Sequence, residues 1–237
     1  MSLQQFITER LHITSKTKSA NLTEHTLFPK NKDELRSFIE RELEEQGPDA
    51  DLNHIDTSKI TDMSKLFEYL QIENIKIDEW DVSNVKNMKE MFNVCENFNC
   101  DLSKWDTKNV TNMFHMFDYC GSFEGIGLDQ WDVSSVTNME GTFRGCLSFN
   151  TPLPSWGTQV SNVTNMKQMF YSCTKFEGNG LDRWDVRNVT DMSYMFCFCE
   201  NFDCDLSDWD VSNVRSWTGA FSKCPNMPTE FQPKFYK

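Results

Sequence analysis

Cysteine supplies the most reactive side chains of this 237-residue chain, which contains nine of them. Six recur at nearly constant spacing and form a column: Cys95, Cys120, Cys146, Cys173, Cys199 and Cys224. Thiols bind metals and form disulfides, but a buried cysteine also packs as a small apolar residue. The sequence has no CxxC pair, and helices stacked ~8–10 Å apart hold Cα atoms beyond disulfide reach. We predict a column of buried free thiols and no metal site.

The groups that acid–base or metal-assisted catalysis requires are scattered along the sequence. The histidines lie at positions 12, 25, 54 and 115, and no motif brings them next to a nucleophile or a metal-ligand set. Catalytic triads and metal sites require several such groups to converge. We therefore expect no enzymatic activity and no cofactor. A hydrolase with paired carboxylates from among the 36 acidic residues remains an alternative.

Two rows of polar side chains flank the tryptophans and are candidates for contacting a partner. One variable residue precedes each of six tryptophans: Glu79, Lys104, Gln130, Ser155, Arg183 and Asp208. An aspartate follows five of them: Asp81, Asp106, Asp132, Asp185 and Asp210. These aspartates do not cluster as calcium ligands do, so we expect them to hydrogen-bond their own turns. The residues before the tryptophans are equally compatible with an unconstrained surface row.

The charge balance limits the classes of partner. The formal net charge is −13, whereas a surface that binds phosphates requires clustered Lys and Arg. We expect no direct binding of nucleic acid. An acidic surface that imitates nucleic acid and occupies a basic protein remains an alternative function.

The tryptophans show how these side chains are organised. Trp80, Trp105, Trp131, Trp156, Trp184 and Trp209 are 25, 26, 25, 28 and 25 residues apart, and an earlier copy has Ile55 in the tryptophan position. One period of about 25 residues therefore repeats some seven times. Apolar residues at i, i+3, i+4 and i+7 after each tryptophan predict a short helix, and the stretch from Phe98 to Trp105 predicts a short strand. We predict an α/β repeat solenoid with short parallel strands and short helices.

The ends of the repeat array set the domain boundaries. Residues 1–30 show little pattern. Residues 31–52 predict a capping helix and turn, since Asn31 and Glu34 fit a capping box and Gly47-Pro48 ends the apolar periodicity. The solenoid is predicted over residues 53–227, with a decaying last unit, and residues 228–237 form a C-terminal tail.

The repeated string Trp-Asp-Val-Ser-Asn-Val-Thr-Asn-Met-x-x-Met-Phe-x-x-Cys-x-x-Phe-Asn resembles the repeats of BspA-like leucine-rich-repeat proteins. These include the mycoplasma-type repeat of unknown function found in many bacterial surface proteins. The resemblance covers about residues 53–227. It implies a leucine-rich-repeat-like solenoid and a role in adhesion or protein recognition.

We predict a protein-binding module that acts as a monomer and presents an extended face to a protein partner. The chain contains no run of 18 apolar residues, so we expect no membrane insertion. Without a recognisable signal peptide or anchor in the given sequence, a cytoplasmic location is expected. The family resemblance implies a surface location instead.

Overall fold

The computed structural model describes residues 24–235. This part of the chain contains one α-helix, α1, over Lys32–Gln46. Four 3₁₀ helices cover Leu128–Gln130, Pro154–Asn162, Leu181–Arg183 and Thr229–Phe231. No β-strand is present between residues 24 and 235, where parallel pairing is confined to isolated bridges. The predicted α/β repeat solenoid is therefore wrong, and so are the short helix and the short strand predicted for each unit.

Successive units lie one on another in what we call the repeat stack. Equivalent residues of neighbouring units pair through single parallel bridges along a ladder of seven positions: Asp62, Asn87, Asn112, Asn138, Asn165, Asp191 and Ser216. Two further bridges, Leu27 with Ile55 and Asp51 with Lys76, lie at the N-terminal end. Most of the predicted N-terminal segment, residues 1–30, lies outside the described residues.

Each ladder residue begins a nine-residue segment that we call a turn tract. The tracts are residues 62–70, 87–95, 112–120, 138–146, 165–173, 191–199 and 216–224. In the second tract Glu90 and Val94 have φ values of 55° and 61°, and the other tracts have positive φ at the same two positions. A right-handed helix requires negative φ at every residue, so two left-handed residues in nine prevent it. The helical spacing of the apolar residues arises instead from successive turns.

The backbone hydrogen bonds of a turn tract explain why it is not a strand either. The N–H groups of Met63, Lys65 and Phe67 donate to carbonyls of the next unit at 2.9, 2.9 and 2.8 Å. The N–H groups between them close turns within the tract, as Leu66 does onto Met63. Alternate amides therefore serve the neighbouring unit and the local turn. Both sets are satisfied without the continuous extended pairing of a strand.

The core is a set of aromatic columns that run along the stack. Phe92, Phe117 and Phe143 are inaccessible to solvent, and their rings stack at centroid distances of 5.4 and 5.8 Å. Trp105 stacks on Trp131 at 6.0 Å. Because every unit places the same ring at the same position, each unit buries its apolar surface against its neighbours.

Repeated polar side chains, the buried tryptophans and the exposed asparagines, donate to the preceding unit. The indole N–H of Trp131 donates to the carbonyl of Leu102 at 3.0 Å, and the other five repeat tryptophans make the same bond. The amide of Asn109 donates to the Ser83 carbonyl at 2.7 Å, as its equivalents do in other units. These repeated side chains therefore hold adjacent units together.

Helix α1 covers the N-terminal end of the repeat stack. It lies within the residues predicted to form a capping helix and turn, and the Asn31 side chain accepts a hydrogen bond from the N–H of Glu34 at 2.9 Å. Its Leu35 and Ile39 are fully buried. Arg36 donates to the Leu66 carbonyl at 2.7 Å, which satisfies an acceptor of the first turn tract.

Candidate functional site

The exposed side chains of the turn tracts form a continuous surface that we call the turn face. Its inward neighbours are nearly identical from unit to unit, whereas its outward residues change in charge, size and aromatic character. Several large apolar side chains are exposed there, including Tyr69 at 65%, Tyr119 at 47% and Phe198 at 41%. Exposed aromatic side chains on a rigid framework are typical of recognition surfaces.

A ladder of aromatic rings and one cation crosses four units at the centre of the turn face. The Arg144 guanidinium lies over the ring of Tyr119 at 5.0 Å and over that of Tyr171 at 5.8 Å. It also donates to the Tyr119 hydroxyl at 3.0 Å. Tyr171 meets Phe198 edge-to-face at 5.6 Å. These contacts hold three rings in fixed positions, and two of them, Tyr119 and Phe198, are exposed. A partner that binds these rings therefore has few side chains to order.

The buried carboxylate of Asp118 lies next to Arg144, the cation of this ladder. Asp118 is 6% exposed, and its Oδ2 lies 2.6 Å from Nδ1 of His115. Its Oδ1 lies 3.8 Å from Nε of Arg144, and neither of these two atoms has a hydrogen-bond partner among residues 24–235. The negative charge lies between two basic groups and holds the guanidinium in place between the tyrosine rings.

A groove of about 640 Å³ borders the ladder. Val94, Tyr119 and Leu147 provide its apolar walls, and Leu147 is 49% exposed. Gly145 forms part of the surface with a φ of 71°, and a Cβ atom there would lie 2.8 Å from the Tyr119 ring. The glycine therefore keeps the space beside Tyr119 open. The groove is shaped to receive a large apolar side chain.

Charged pairs flank the ladder on the same face. Lys167 lies 2.9 Å from Glu140, and this hydrogen bond raises the pKa of the lysine. Lys65 lies 2.8 Å from Glu90 in the first units. Paired charges of this kind contribute little to stability, but they fix where positive and negative groups stand on the surface.

The predicted row before the tryptophans is exposed throughout: Glu79, Lys104, Gln130, Ser155, Arg183 and Asp208. Some residues of this row contact a neighbouring unit. Lys104 lies 2.6 Å from Asp78, and the Ser155 hydroxyl donates to the Asp129 carbonyl. These residues belong to a different part of each unit from the turn face. Their role in binding a partner stays a prediction.

The aspartates after the tryptophans hold their own turns, as the sequence predicts. Each accepts a hydrogen bond from the backbone N–H two residues later, at 3.0 Å for Asp81 and 3.1 Å for Asp210. The same bond is made by the other members of the row: Asp106, Asp132 and Asp185. Hydrogen bonds from Ser212 lower the pKa of Asp210. Their oxygens are engaged locally, and whether they also contact a partner stays a prediction.

The turn face was missed at the sequence level because a helix was predicted there. Its signal lies in the variable positions of the Met-x-x-Met-Phe-x-x-Cys segment, which place Tyr119, Arg144 and Phe198 among invariant core residues. Unit-to-unit variation inside a regular motif marks surface positions without a packing constraint. Comparing those positions across the seven units would have found the aromatic ladder.

The cysteine column is buried, as predicted. The thiol of Cys120 donates to the Phe92 carbonyl at 3.0 Å, and each other member bonds the preceding unit in the same way. Burial raises the pKa of Cys95 to about 12 and that of Cys224 to about 11. Burial also raises the pKa of Cys146 well above its ordinary value. Thiols held protonated in this way are poor nucleophiles and poor metal ligands.

Glu42 and Asp118 are the buried carboxylates of the described residues, and each lies beside basic side chains. Residues 24–235 contain no set of three His, Cys, Asp or Glu placed to hold a metal ion.

The repeat pattern matches a known family. A family model described as "Mycoplasma protein of unknown function, DUF285" matches residues 37–156 and 123–233. The chain belongs to the DUF285 family. The resemblance to the mycoplasma-type repeat is thus confirmed at the level of this family, whose description assigns no activity.

Other comparisons add little to the DUF285 assignment. Among solved structures, the chain is similar to that of the "Crystal structure of TLR13-ssRNA13 complex", at 8% identity and a TM-score of 0.20. The alignment covers 86% of this chain and 42% of that one, so this chain spans less than half of its length. So weak a likeness carries no argument. No curated protein matches. Between residues 24 and 235, α1 and the 3₁₀ helices are too short or too polar to cross a membrane.

Proposed function

We propose that this protein is a non-enzymatic binding module that holds a protein partner on its turn face. The observation that carries the proposal is the ladder of Tyr119, Arg144, Tyr171 and Phe198 beside the groove at Leu147. Uniform residues fill the core behind it, while its exposed residues differ in each unit. Such a surface is rigid before binding, so little side-chain entropy is lost when a partner docks.

The chemistry of the surface favours a protein as the partner. Exposed tyrosine and arginine side chains contribute most of the affinity at protein interfaces, and an apolar groove accepts an anchoring side chain. The net charge of −13 disfavours a polyanion. The alternative of nucleic-acid mimicry predicts a strongly basic partner that dissociates as salt is added.

The test compares two matched substitutions of exposed aliphatic residues. Leu147→Asp places a charge in the groove, whereas Ile126→Asp makes the same change at a residue 44% exposed outside the turn tracts. Wild-type protein and both variants serve as bait for lysate proteins at ~0.1 M and ~0.5 M salt. Each captured protein is then purified and titrated against all three baits.

The proposal predicts a protein that survives the higher salt and binds Ile126→Asp as tightly as wild type. For Leu147→Asp we expect affinity to fall at least ~10-fold, because the anchoring side chain must desolvate a carboxylate. Equal affinity for the two variants would show that the groove does not bind this partner. Capture of basic proteins alone, lost at the higher salt, would favour nucleic-acid mimicry.

Adhesion is a more specific version of the same proposal. If the chain acts as BspA-like proteins do, its partner is a matrix or cell-surface protein, and the chain lies outside the cytoplasm. Labelling of intact cells with an antibody against the purified protein tests this point. Labelling only after permeabilisation would support the predicted cytoplasmic location instead.

A further inference from the structure

The C-terminal end of the repeat stack exposes backbone groups that every other unit uses. At the last interface between units, the N–H groups of Tyr194, Phe196 and Phe198 donate to carbonyls of residues 218, 220 and 222 at 2.9, 2.8 and 2.9 Å. The same pattern joins each earlier pair of turn tracts. The last tract, residues 216–224, has no following unit among the described residues.

The corresponding N–H groups of the last tract are those of Gly219, Phe221 and Lys223. None of the three has an acceptor between residues 24 and 235. The intervening amides still close their turns, as Ala220 does onto Trp217 at 3.0 Å. The backbone is thus held in the shape that the other tracts use for stacking, with three donors directed away from the stack.

Apolar surface accompanies these donors. The Phe221 ring stacks on Phe196 at 5.4 Å, but it is only partly buried, whereas Phe196 is 1% exposed. A groove of about 600 Å³ lies beside it, lined by Phe198, Glu200, Phe221, Lys223, Cys224 and Pro225. This groove would hold an aromatic or aliphatic side chain next to the open donors.

The C-terminal tail covers another part of the same end. The Phe231 carbonyl accepts from the N–H of Leu206 at 2.8 Å, in place of the carbonyl of a further unit. Phe235 stacks on Trp217 at 5.1 Å. Residues 228–235 therefore substitute for a following unit on the side of Leu206, and the described chain leaves Phe221 and its neighbours open.

The backbone groups exposed at the C-terminal end of the stack limit which partners can bind there. The carbonyls of Ser216, Thr218, Ala220 and Ser222 already accept from the preceding unit, so the outward backbone groups are the three N–H donors and the Phe221 carbonyl that accepts a thiol elsewhere in the stack. Two such ends cannot form the alternating backbone ladder with each other, because neither offers a row of free carbonyls. The opposite end of a second copy is covered by α1, whose Arg36 occupies the Leu66 carbonyl.

We propose that the open end of the last turn tract, at Gly219, Phe221 and Lys223, binds a turn tract of the same repeat type from a different protein. Such a segment offers carbonyl oxygens at alternate residues and stacks a phenylalanine on Phe221. Its cysteine would also donate to the Phe221 carbonyl, as Cys224 does to Phe196 at 2.7 Å. The interface continues the arrangement found between all the units, and it is separate from the turn face.

A synthetic peptide with the sequence of residues 187–204 of this chain is the probe, since it contains one complete turn tract. The full chain is titrated with the peptide under reducing conditions, and amide hydrogen exchange is followed by NMR. We expect saturable binding that slows exchange at Gly219, Phe221 and Lys223 and leaves Tyr194 and Phe196 unchanged. Absence of binding at millimolar peptide, or binding without protection of the three amides, overturns the proposal.

A single-atom change tests the donors directly. Replacing Phe221 by phenyllactic acid removes its N–H and keeps the ring, and we expect about fivefold weaker peptide binding. The same replacement at Phe196 is the matched control, because each ester also weakens one carbonyl that accepts from the preceding unit. That control removes an internal hydrogen bond and lowers stability, but it should leave peptide affinity unchanged.

The remaining outcomes separate this interface from the other surfaces. Unchanged affinity after replacement at Phe221 would contradict the proposal, whatever the peptide does elsewhere. Leu147→Asp should leave peptide binding intact even where it abolishes binding of a partner to the turn face. Self-association of the chain that is lost on replacing Phe221 would show a second copy as the occupant and overturn the choice of a different protein.

Discussion

Alkaline pH should destabilise this protein strongly, because the six-cysteine column is buried in the protonated form. Burial raises the pKa of Cys95 to about 12, that of Cys224 to about 11, and those of the four between them well above the ordinary value of 9.0. In the unfolded chain the same thiols ionise near 9.0. Their contribution to stability is therefore complete below pH 9 and is lost as pH rises from there towards the folded pKa values.

The size of the effect follows from linkage. At about pH 10 each unfolded thiol is stabilised by about 1.4 kcal/mol through ionisation that the folded state does not allow. Six such thiols together lower the free energy of unfolding by about 8 kcal/mol. A domain is stable by about 5–15 kcal/mol in total, so the loss is comparable to the whole stability.

The assay is urea unfolding followed by tryptophan fluorescence, with a reductant present, at intervals from about pH 7.5 to about pH 10. The control replaces Cys120, Cys146 and Cys173 by alanine, which removes half of the column. This variant should be less stable at neutral pH, yet its stability should fall less steeply with pH. Cys100, whose pKa burial raises to about 12, contributes to the slope in both proteins. An unfolding midpoint that stays constant to pH 10, or equal slopes for the two proteins, would refute the reasoning.

Three further substitutions and one matched control test the architecture by the same unfolding assay. Gly127→Ala places a Cβ 2.3 Å from the backbone nitrogen of Ser103 at a φ of 88°, so it should destabilise the protein by about 2–4 kcal/mol. Gly121→Ala is the matched control, because its Cβ would lie 3.7 Å from the nearest atom. It should change stability by less than about 1 kcal/mol. Trp131→Phe should cost about 1–3 kcal/mol, since it leaves a buried carbonyl without its indole donor; an unchanged midpoint would count against that bond. Asn31→Ala should cost about 1 kcal/mol and reduce the helical circular dichroism of α1, and no change in either would contradict the cap.

The sequence was sufficient for the parts of the fold that depend on local chemistry. Asn31 and Gly47 fix the limits of α1, because a side-chain acceptor favours a helix start and a glycine with positive φ favours a helix end. The buried cysteines and the turn-forming aspartates follow from side-chain type at a constant period. For the candidate site, exposure of the row from Glu79 to Asp208 was predictable. The ladder around Arg144 was missed because a helix was predicted there, and its three rings and one cation come from four different units.

What the sequence determined by itself is the period, the inward columns and the cap, because each is set by residue type at a fixed spacing. What the tertiary structure decided is the backbone within the turn tracts. Met88, Met91, Phe92 and Cys95 have the spacing of a helical face, yet left-handed residues at Glu90 and Val94 break the helix. Alternate amides gain their partners from the neighbouring unit. Those hydrogen bonds exist only after the units stack, so the pattern of a single unit contains no sign of them.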